Sequence, residues 1–163
     1  MIGENMRILV MSDAHGKKSV IEELVKRHND AKTVLFLGDG AAEFLEISKR
    51  YPSKNFFAVS GNNDFFVPNL NYDEVVTVDG VRIFMTHGHR YHIGFGEESV
   101  IKKAKELDCK IALCGHTHIP KTTYADGIYY VNTGSVARSR LGPDTYAVID
   151  IEKNGIVPII MKV

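Results

Sequence analysis

The sequence predicts an α/β fold in which two β-sheets pack face to face and helices cover their outer faces. The first half of the chain alternates short apolar runs with stretches of helical periodicity, which is the pattern of a parallel sheet. The second half contains pairs of strand-like runs joined by Asp-Gly or Asn-Gly, which predict hairpins. Two packed sheets with helices outside satisfy both halves.

The predicted elements of the first half are three buried strands separated by two amphipathic helices. The strands are continuous apolar runs, as expected where both faces of a sheet are covered. The first helix carries Val20, Ile21, Leu24 and Val25 at helical spacing, and Pro52 follows the second helix, which has Phe44, Leu45 and Ile47 on its inner side. The predicted strands are 7–11, 33–37 and 55–59, and the predicted helices are 17–28 and 41–50.

The second half predicts three hairpins, one helix and one further strand. Each hairpin has a two-residue turn of the type that accepts positive φ. The hairpins are 74–78 with 81–85, 121–125 with 128–132, and 145–151 with 156–163; the helix is 99–107 and the strand is 110–114.

Composition fits one globular domain spanning 1–163, and it limits the partners. Hydrophobic residues make up 44% of the 163 residues, which argues against disorder. The 20 basic and 20 acidic side chains cancel, which argues against general nucleic-acid or membrane-surface binding. A nucleotide substrate stays open, because a local metal site supplies its own positive charge. No apolar run approaches the roughly 20 residues of a membrane span.

The cysteines and the N-terminus predict a cytoplasmic location. Cys114 lies in an apolar run and is expected to be a buried free thiol; a disulfide or zinc pair with Cys109 is the alternative. The N-terminus lacks the pattern of a signal peptide. Residues 1–5 are expected to form a short tail, with Met6 as an alternative start.

Polar residues with nitrogen and oxygen donors follow successive apolar runs, and they predict a metal centre. In open α/β sheets ligands bind outside the carboxyl ends of the strands. If the loops are extended, Asp13 and His15 point to one side, as do His116 and His118; two such pairs and a bridging carboxylate can hold two divalent ions about 3.5–4 Å apart. The candidate ligands are Asp13, His15, Asp39, Asn62, His87, His116 and His118.

Each candidate taken alone has a structural explanation. An aspartate after a strand often caps a helix or a turn, and Asn62 in Gly-Asn-Asn is typical of a turn. A histidine in His-Gly-His is as often structural as functional. The coincidence of all the motifs in one order favours the metal centre.

The order of the motifs D-x-H, G-D, G-N-x-D, H-G-H and G-H-x-H resembles that of the calcineurin-like metallophosphoesterase superfamily. The short length resembles its small prokaryotic phosphodiesterase branch, which is similar to the phosphoesterase-like subunit of retromer. The resemblance runs from about Arg7 to about Arg140. It implies a four-layer α/β/β/α sandwich of two mixed β-sheets flanked by helices.

The resemblance also assigns the ligands to two metal ions bridged by Asp39. It places Asp39, Asn62, His87 and Asp64 in the catalytic centre, with Asp64 orienting a ligand. One ion would be held by Asp13, His15, Asp39 and His118, and the other by Asp39, Asn62, His87 and His116. Histidine-rich ligands favour manganese, with iron, nickel or zinc as alternatives; magnesium fits less well.

Three further residues are candidates for contact with substrate. His89 resembles the second histidine of the family's H-G-H and either contacts substrate or supports the ligands. Arg140 either binds a phosphate oxygen or is a solvated surface arginine. Asn63 stands where many relatives have a histidine that protonates the leaving group, and an amide cannot do this near neutral pH.

His28 matches no motif and is expected to be exposed at a helix end.

The expected function is hydrolysis of phosphate esters, most plausibly diesters, by attack of a metal-bridging hydroxide. The expected partner is a small-molecule phosphate ester, and a homo-oligomer stays open. One alternative is a weakly active or inactive protein-binding scaffold on the same fold. Another is zinc-dependent hydrolysis of an ester or amide.

Overall fold

The computed structural model describes residues 5–163, so residues 1–4 of the expected tail lie outside it. The described chain forms two five-stranded sheets and three α-helices. The helices are α1 (Lys18–Arg27), α2 (Ala41–Ser48) and α3 (Glu98–Glu106). The strands are β1 (Met6–Met11), β2 (Thr33–Phe36), β3 (Asn55–Ala58), β4 (Asp73–Val78), β5 (Val81–Thr86), β6 (Ile111–Cys114), β7 (Lys121–Ala125), β8 (Ile128–Asn132), β9 (Thr145–Glu152) and β10 (Gly155–Lys162).

The first sheet has the order β10-β9-β1-β2-β3 and is mixed. The strands β1, β2 and β3 are parallel, because α1 after β1 and α2 after β2 each return the chain to the same end of the sheet. The C-terminal hairpin of β9 and β10 then adds antiparallel to β1. Val10 lies opposite Leu35 on one side and Ala147 on the other, which places β1 at the centre.

The second sheet has the order β4-β5-β6-β8-β7. Its central strands β5, β6 and β8 are parallel, and the hairpin partners β4 and β7 form its edges. The hairpin turns Asp79-Gly80 and Asp126-Gly127 have positive φ at both residues, as a two-residue turn requires. All three predicted hairpins are confirmed.

Three hydrophobic clusters show that the fold has four layers, as predicted. Because side chains alternate along a strand, Ile8 and Val10 of β1 face the second sheet, while Leu9 and Met11 face the helices. The helices α1 and α2 cover the first sheet, and α3 covers the second. The predicted α/β sandwich of two mixed sheets flanked by helices is confirmed.

The expectation about the burial of His28 is wrong. His28 was expected to be exposed, but it is only 7% exposed and its Nε2 lies 2.7 Å from the hydroxyl of Tyr146. The reason is that α1 packs on the first sheet up to its last turn, so the residue that caps it is enclosed by β9. Helix α2 also ends at Ser48, two residues before the predicted boundary.

The thiol prediction is confirmed, since Cys109 and Cys114 are both free and buried. Burial raises the pKa of Cys114 to about 12, so this thiol is unreactive near neutral pH. Within residues 5–163, none of the helices is both long and apolar enough to cross a membrane.

Candidate metal centre

Five loops at the carboxyl ends of β1, β2, β3, β5 and β6 bring the predicted ligands together. In parallel strands these ends share one edge of a sheet, and the two sheets present their edges side by side. The aspartates Asp13 and Asp39 and the imidazole of His87 are buried at the base of the cluster. His15, His116 and His118 are half-buried around it, and Asn62 is exposed at its rim.

One group of ligands is formed by Asp13, His15 and His118. The Nε2 atoms of the two histidines are 3.1 Å apart. Asp13 Oδ1 lies 3.1 Å from Nε2 of His118 and 3.7 Å from Nε2 of His15. Three donor atoms of this kind, within 4.8 Å of one another, are arranged as for one metal ion.

The second group surrounds Nε2 of His87. This atom lies 3.1 Å from Asn62 Oδ1 and 3.5 Å from Asp39 Oδ2. The His116 ring is in edge contact with the His87 ring, with centroids 5.0 Å apart. Asp13 Oδ1 is 3.8 Å from the same Nε2, so Asp13 lies near both groups.

The loops are not extended, which corrects one step of the sequence reasoning. Asp13, His15, Asp39, His116 and His118 all have φ between 45° and 66°. Such left-handed conformations are uncommon outside glycine and gather at functional sites. The turn in the first loop is held by the second, because the N–H groups of Asp13 and His15 donate to the carbonyls of Gly38 and Asp39.

Close approach of the loops requires glycine at two positions. A Cβ at Gly61 would overlap the carboxylate of Asp39, and one at Gly115 would overlap the side chains of Ser12 and Asp13. The G-N and G-H motifs therefore contain glycine because a neighbouring ligand occupies that space.

Asp64 ties two of the loops together. Its buried carboxylate accepts hydrogen bonds from four backbone N–H groups, those of Asp39, Gly40, Ala41 and Gly61, at 2.6–3.0 Å. These bonds use the lone pairs of the carboxylate, so Asp64 is in a position to fix the Asp39 loop and not to contact substrate.

Backbone carbonyls orient two of the histidines. His87 Nδ1 lies 2.7 Å from the carbonyl of Leu37, and His118 Nδ1 lies 2.8 Å from the carbonyl of Arg138. A carbonyl only accepts, so each Nδ1 carries the proton. In the neutral ring each Nε2 then presents a lone pair to the cluster, as metal-binding histidines do.

The pKa shifts within the cluster follow from the close approach of these side chains. Burial acts to lower the pKa of His87, but the carboxylates of Asp39 and Asp13 outweigh it and the pKa is raised. The hydrogen bond with Asp13 raises the pKa of His118. Burial acts to raise the pKa of Asp13 and Asp39, but hydrogen bonds from neighbouring donors outweigh it and both are lowered.

The atoms available to bind a metal ion suit divalent cations. Around Nε2 of His87 the nearest groups are Asn62 Oδ1 and the carboxylate oxygens of Asp39 and Asp13, and every one of them is an acceptor. Lone pairs converging on one point need a proton or a cation between them. Mixed imidazole, carboxylate and amide donors suit transition metals.

The remaining candidates lie at the margin of the cluster. The His89 ring is 5.4 Å from that of His87, and its Nδ1 is buried without a hydrogen-bond partner among the described residues. Burial and the neighbouring His87 lower the pKa of His89, so it is neutral near pH 7. The side chain of Asn63 donates from Nδ2 to Asp39 Oδ2 at 2.7 Å, which fastens it to a ligand.

Two cavities border the cluster on different sides. One of about 370 Å³ is lined by His116, Arg140 and residues of β7 and β8. The other, of about 230 Å³, is lined by His15, Asp39 and Asn63.

The sequence did not predict the residues that hydrogen-bond to the predicted ligands and to their loops. Ser12 donates to Asp13 Oδ2 at 2.6 Å, and Ser135 donates to the Asp13 carbonyl at 2.7 Å. Asn132 donates to Gly115 O and Thr117 Oγ1, which fixes the loop that carries His116. Ser12 lies next to Asp13 in the D-x-H motif, and Asn132 and Ser135 are the first and last residues of an Asn-Thr-Gly-Ser sequence. Their hydrogen-bond partners depend on tertiary structure.

The fold and the predicted ligands are those of the metallophosphoesterase class, and comparison with known proteins agrees. Residues 6–154 match the model of the calcineurin-like phosphoesterase superfamily domain. The chain therefore belongs to the calcineurin-like phosphoesterase superfamily, as its motifs indicated.

Two curated relatives span most of the chain. A probable metallophosphoesterase, YsnB of Bacillus subtilis, is 27% identical over 151 residues, covering 91% of this chain and 86% of the relative. The phosphodiesterase YfcE of Escherichia coli is 26% identical over 168 residues, covering 89% and 88%.

Solved structures share the fold. A predicted phosphoesterase from Streptococcus pneumoniae has a TM-score of 0.81 and 27% identity, covering 97% of this chain and 90% of that one. Vacuolar Protein Sorting 29 from Cryptosporidium parvum has a TM-score of 0.79 at 20% identity, covering 98% and 92%. At 20% identity, the similarity to the Cryptosporidium protein shows a shared fold only.

Proposed function

We propose that this chain is a di-metal phosphodiesterase that acts on a small-molecule diester in the cytoplasm, with manganese as the preferred metal. The observation that carries the proposal is the convergence of all seven predicted ligands on one cluster of imidazole, carboxylate and amide groups. Two divalent cations held there would polarise the phosphoryl oxygens and lower the pKa of a water between them.

The chain's own residues would bind and orient the phosphate. Arg140 makes no ion pair with a carboxylate among the described residues, and it lines the cavity that also contains His116. Its guanidinium is therefore available for two phosphoryl oxygens. Neutral His89 can offer one N–H or accept one hydrogen bond at the edge of the cluster.

The two cavities support a diester over a monoester. Phosphorus in a diester carries two organic substituents, and the ligand cluster borders one cavity on the His116 side and another on the His15 and Asp39 side. The relative named as a phosphodiesterase supports the same choice.

Hydrolysis of bis-p-nitrophenyl phosphate by metal-free protein, with and without added manganese, tests the proposal. We expect turnover only with metal, and more than with p-nitrophenyl phosphate, the matching monoester. Absence of turnover with manganese, iron, nickel and zinc would favour the protein-binding scaffold instead. Faster hydrolysis of the monoester would replace the diesterase by a phosphatase.

A further inference from the structure

The larger of the two cavities beside the ligand cluster is lined partly by apolar side chains and partly by charged ones. Ile93 and Ile119 contribute apolar surface, and Tyr130 and Asn132 of β8 also line it. Ile119 is 41% exposed although it is an isoleucine adjacent to a predicted ligand. Exposed aliphatic surface inside a concave site is typical of ligand pockets.

Besides Arg140, which is assigned to the phosphate above, the charged residues of the wall form an ion pair. Lys121 Nζ lies 2.8 Å from both carboxylate oxygens of Glu97. Since the two charges neutralise each other, the pair offers no net charge to a charged group of a ligand. A neutral group that accepts from the ammonium and donates to the carboxylate fits this pair.

The volume of the cavity limits the size of the chemical group that can bind in it. About 370 Å³ is near the lower end of ligand pockets, which run from roughly 300 to 1,000 Å³. This accommodates a single cyclic group.

Resting on the proposed diesterase function, we propose that this cavity binds one ester substituent of the substrate. The substituent is a nucleoside-sized cyclic group with an apolar face against Ile93 and Ile119 and a neutral hydrogen-bonding edge at the Glu97–Lys121 pair. The phosphate lies at the His116 end, because His116 is the predicted ligand that lines the cavity.

Three diesters with one leaving group test this: methyl, phenyl and thymidine 5′ p-nitrophenyl phosphate. The nitrophenolate departs from all three, so differences report the other substituent. We expect kcat/KM to rise about tenfold from methyl to phenyl through apolar contact, and again by several-fold to thymidine through the polar edge. Ile119→Ala should reduce the first increment, and Lys121→Met the second.

Matched controls lie elsewhere on the molecule. Ile159 of β10 is 42% exposed and Lys18 pairs with Glu46 at 2.8 Å, so Ile159→Ala and Lys18→Met repeat the same chemical changes. Both should leave the three rates in their wild-type ratio.

A binding measurement separates this inference from the proposed function. Calorimetry with manganese-loaded protein should give thymidine 5′-phosphate at least about tenfold tighter binding than methyl phosphate, and Ile119→Ala should remove most of that preference. Equal rates and equal affinities, or ratios that the cavity variants leave unchanged, would overturn the cavity assignment. Hydrolysis of none of the diesters would instead overturn the diesterase, and the binding ratio would still decide what the cavity holds.

Discussion

Two buried carboxylates share the base of the ligand cluster, and their positions differ. Asp13 Oδ1 lies within 4 Å of Nε2 of His15, His87 and His118. Asp39 approaches His87 and is fixed by two hydrogen bonds from Asn63. The family resemblance assigns the bridge to Asp39, whereas the distances within the cluster put Asp13 between the two groups.

Substitution of each carboxylate distinguishes these assignments. With Asp39 as the bridge, Asp39→Ala should lose both ions and lower hydrolysis by at least about two orders of magnitude, because the metals generate the nucleophile. Asp13→Ala should then retain one ion. Elemental analysis after reconstitution with manganese measures the stoichiometry. Glu152→Ala, which removes an exposed carboxylate, is the control; the reverse pattern would assign the bridge to Asp13.

The amide at position 63 leads to a second prediction about a single residue. Without an acid there, the leaving oxygen must depart largely as an anion, so the rate should depend steeply on leaving-group acidity. Asn63→His should accelerate alkyl diesters by up to about 10²-fold and leave nitrophenyl esters little changed. Rates across a graded series of diesters measure both slopes. A flat wild-type dependence, with chemistry rate-limiting, would mean that another group supplies the proton.

At the scale of residues the sequence predicted which side chains cluster better than it predicted the groups that hold them in place. Asp13, His87 and His118 stand in short motifs and carry side chains that bind metals. The carbonyls of Leu37 and Arg138, which orient two of the histidines, have no signature, since every residue has a carbonyl. Only the folded chain shows which one a ring faces.

Among the structural elements, the loop after β2 depends on one side chain from the loop after β3. Asp64→Asn would place an amide NH₂ where the carboxylate accepts four backbone N–H groups, and at least one N–H would lose its partner. An unsatisfied buried donor costs about 1–3 kcal/mol of unfolding free energy. Because the Asp39 loop shifts, metal affinity should also fall by about 10–100-fold.

Asp144→Asn is the matched control, since the Asp144 carboxylate accepts one backbone N–H, that of Ser139, in a loop. Manganese titration and chemical unfolding of the metal-free proteins give the two quantities. If Asp64→Asn bound manganese as tightly as Asp144→Asn, then Asp64 would not position the Asp39 loop.

The elements themselves were largely predictable, because their signals are local. Asp-Gly and Asn-Gly turns specify hairpins, and the spacing of Ile21, Leu24 and Val25 specifies the buried face of α1. The left-handed turns at Asp13 and His118 were not predictable, because hydrogen bonds between separate loops stabilise them. The burial of His28 was also not predictable, because β9, which encloses it, is more than 100 residues away in the sequence.

For the molecule as a whole, protons should compete with metal ions for the histidines of the ligand cluster. The pKa values of His87 and His118 are raised in the metal-free protein, so both hold a proton to a higher pH than an ordinary histidine near 6.5. Below that pH the metal must displace these protons. The apparent affinity for manganese should fall about tenfold per pH unit for each proton displaced, and added metal should move the acid limb of activity to lower pH.

Calorimetric titration with manganese in buffers of different ionisation enthalpy would count the protons released. The lowered pKa values of Asp13 and Asp39 leave both carboxylates ionised, so they do not contribute in this range. An affinity independent of pH below about 6.5 would contradict competition at these histidines.

His28 should give the stability of the fold a pH dependence of opposite sign. Burial lowers the pKa of His28, so the folded state binds a proton there less readily than the unfolded chain does. Its contribution to stability is fully present above the unfolded value of about 6.5 and is lost as pH falls towards the folded value. In metal-free protein the raised pKa values of His87 and His118 act the other way, with stability gained as pH falls.

Comparison with His28→Gln at each pH separates the two effects. Glutamine retains a polar group beside the Tyr146 hydroxyl but does not titrate, and the metal ligands are the same in both proteins. The unfolding free energy of the wild type minus that of the variant should rise from about pH 5 to about pH 7 and be constant above. A difference that is constant throughout, or that falls with rising pH, would mean that His28 accepts its proton without leaving the helix–sheet interface.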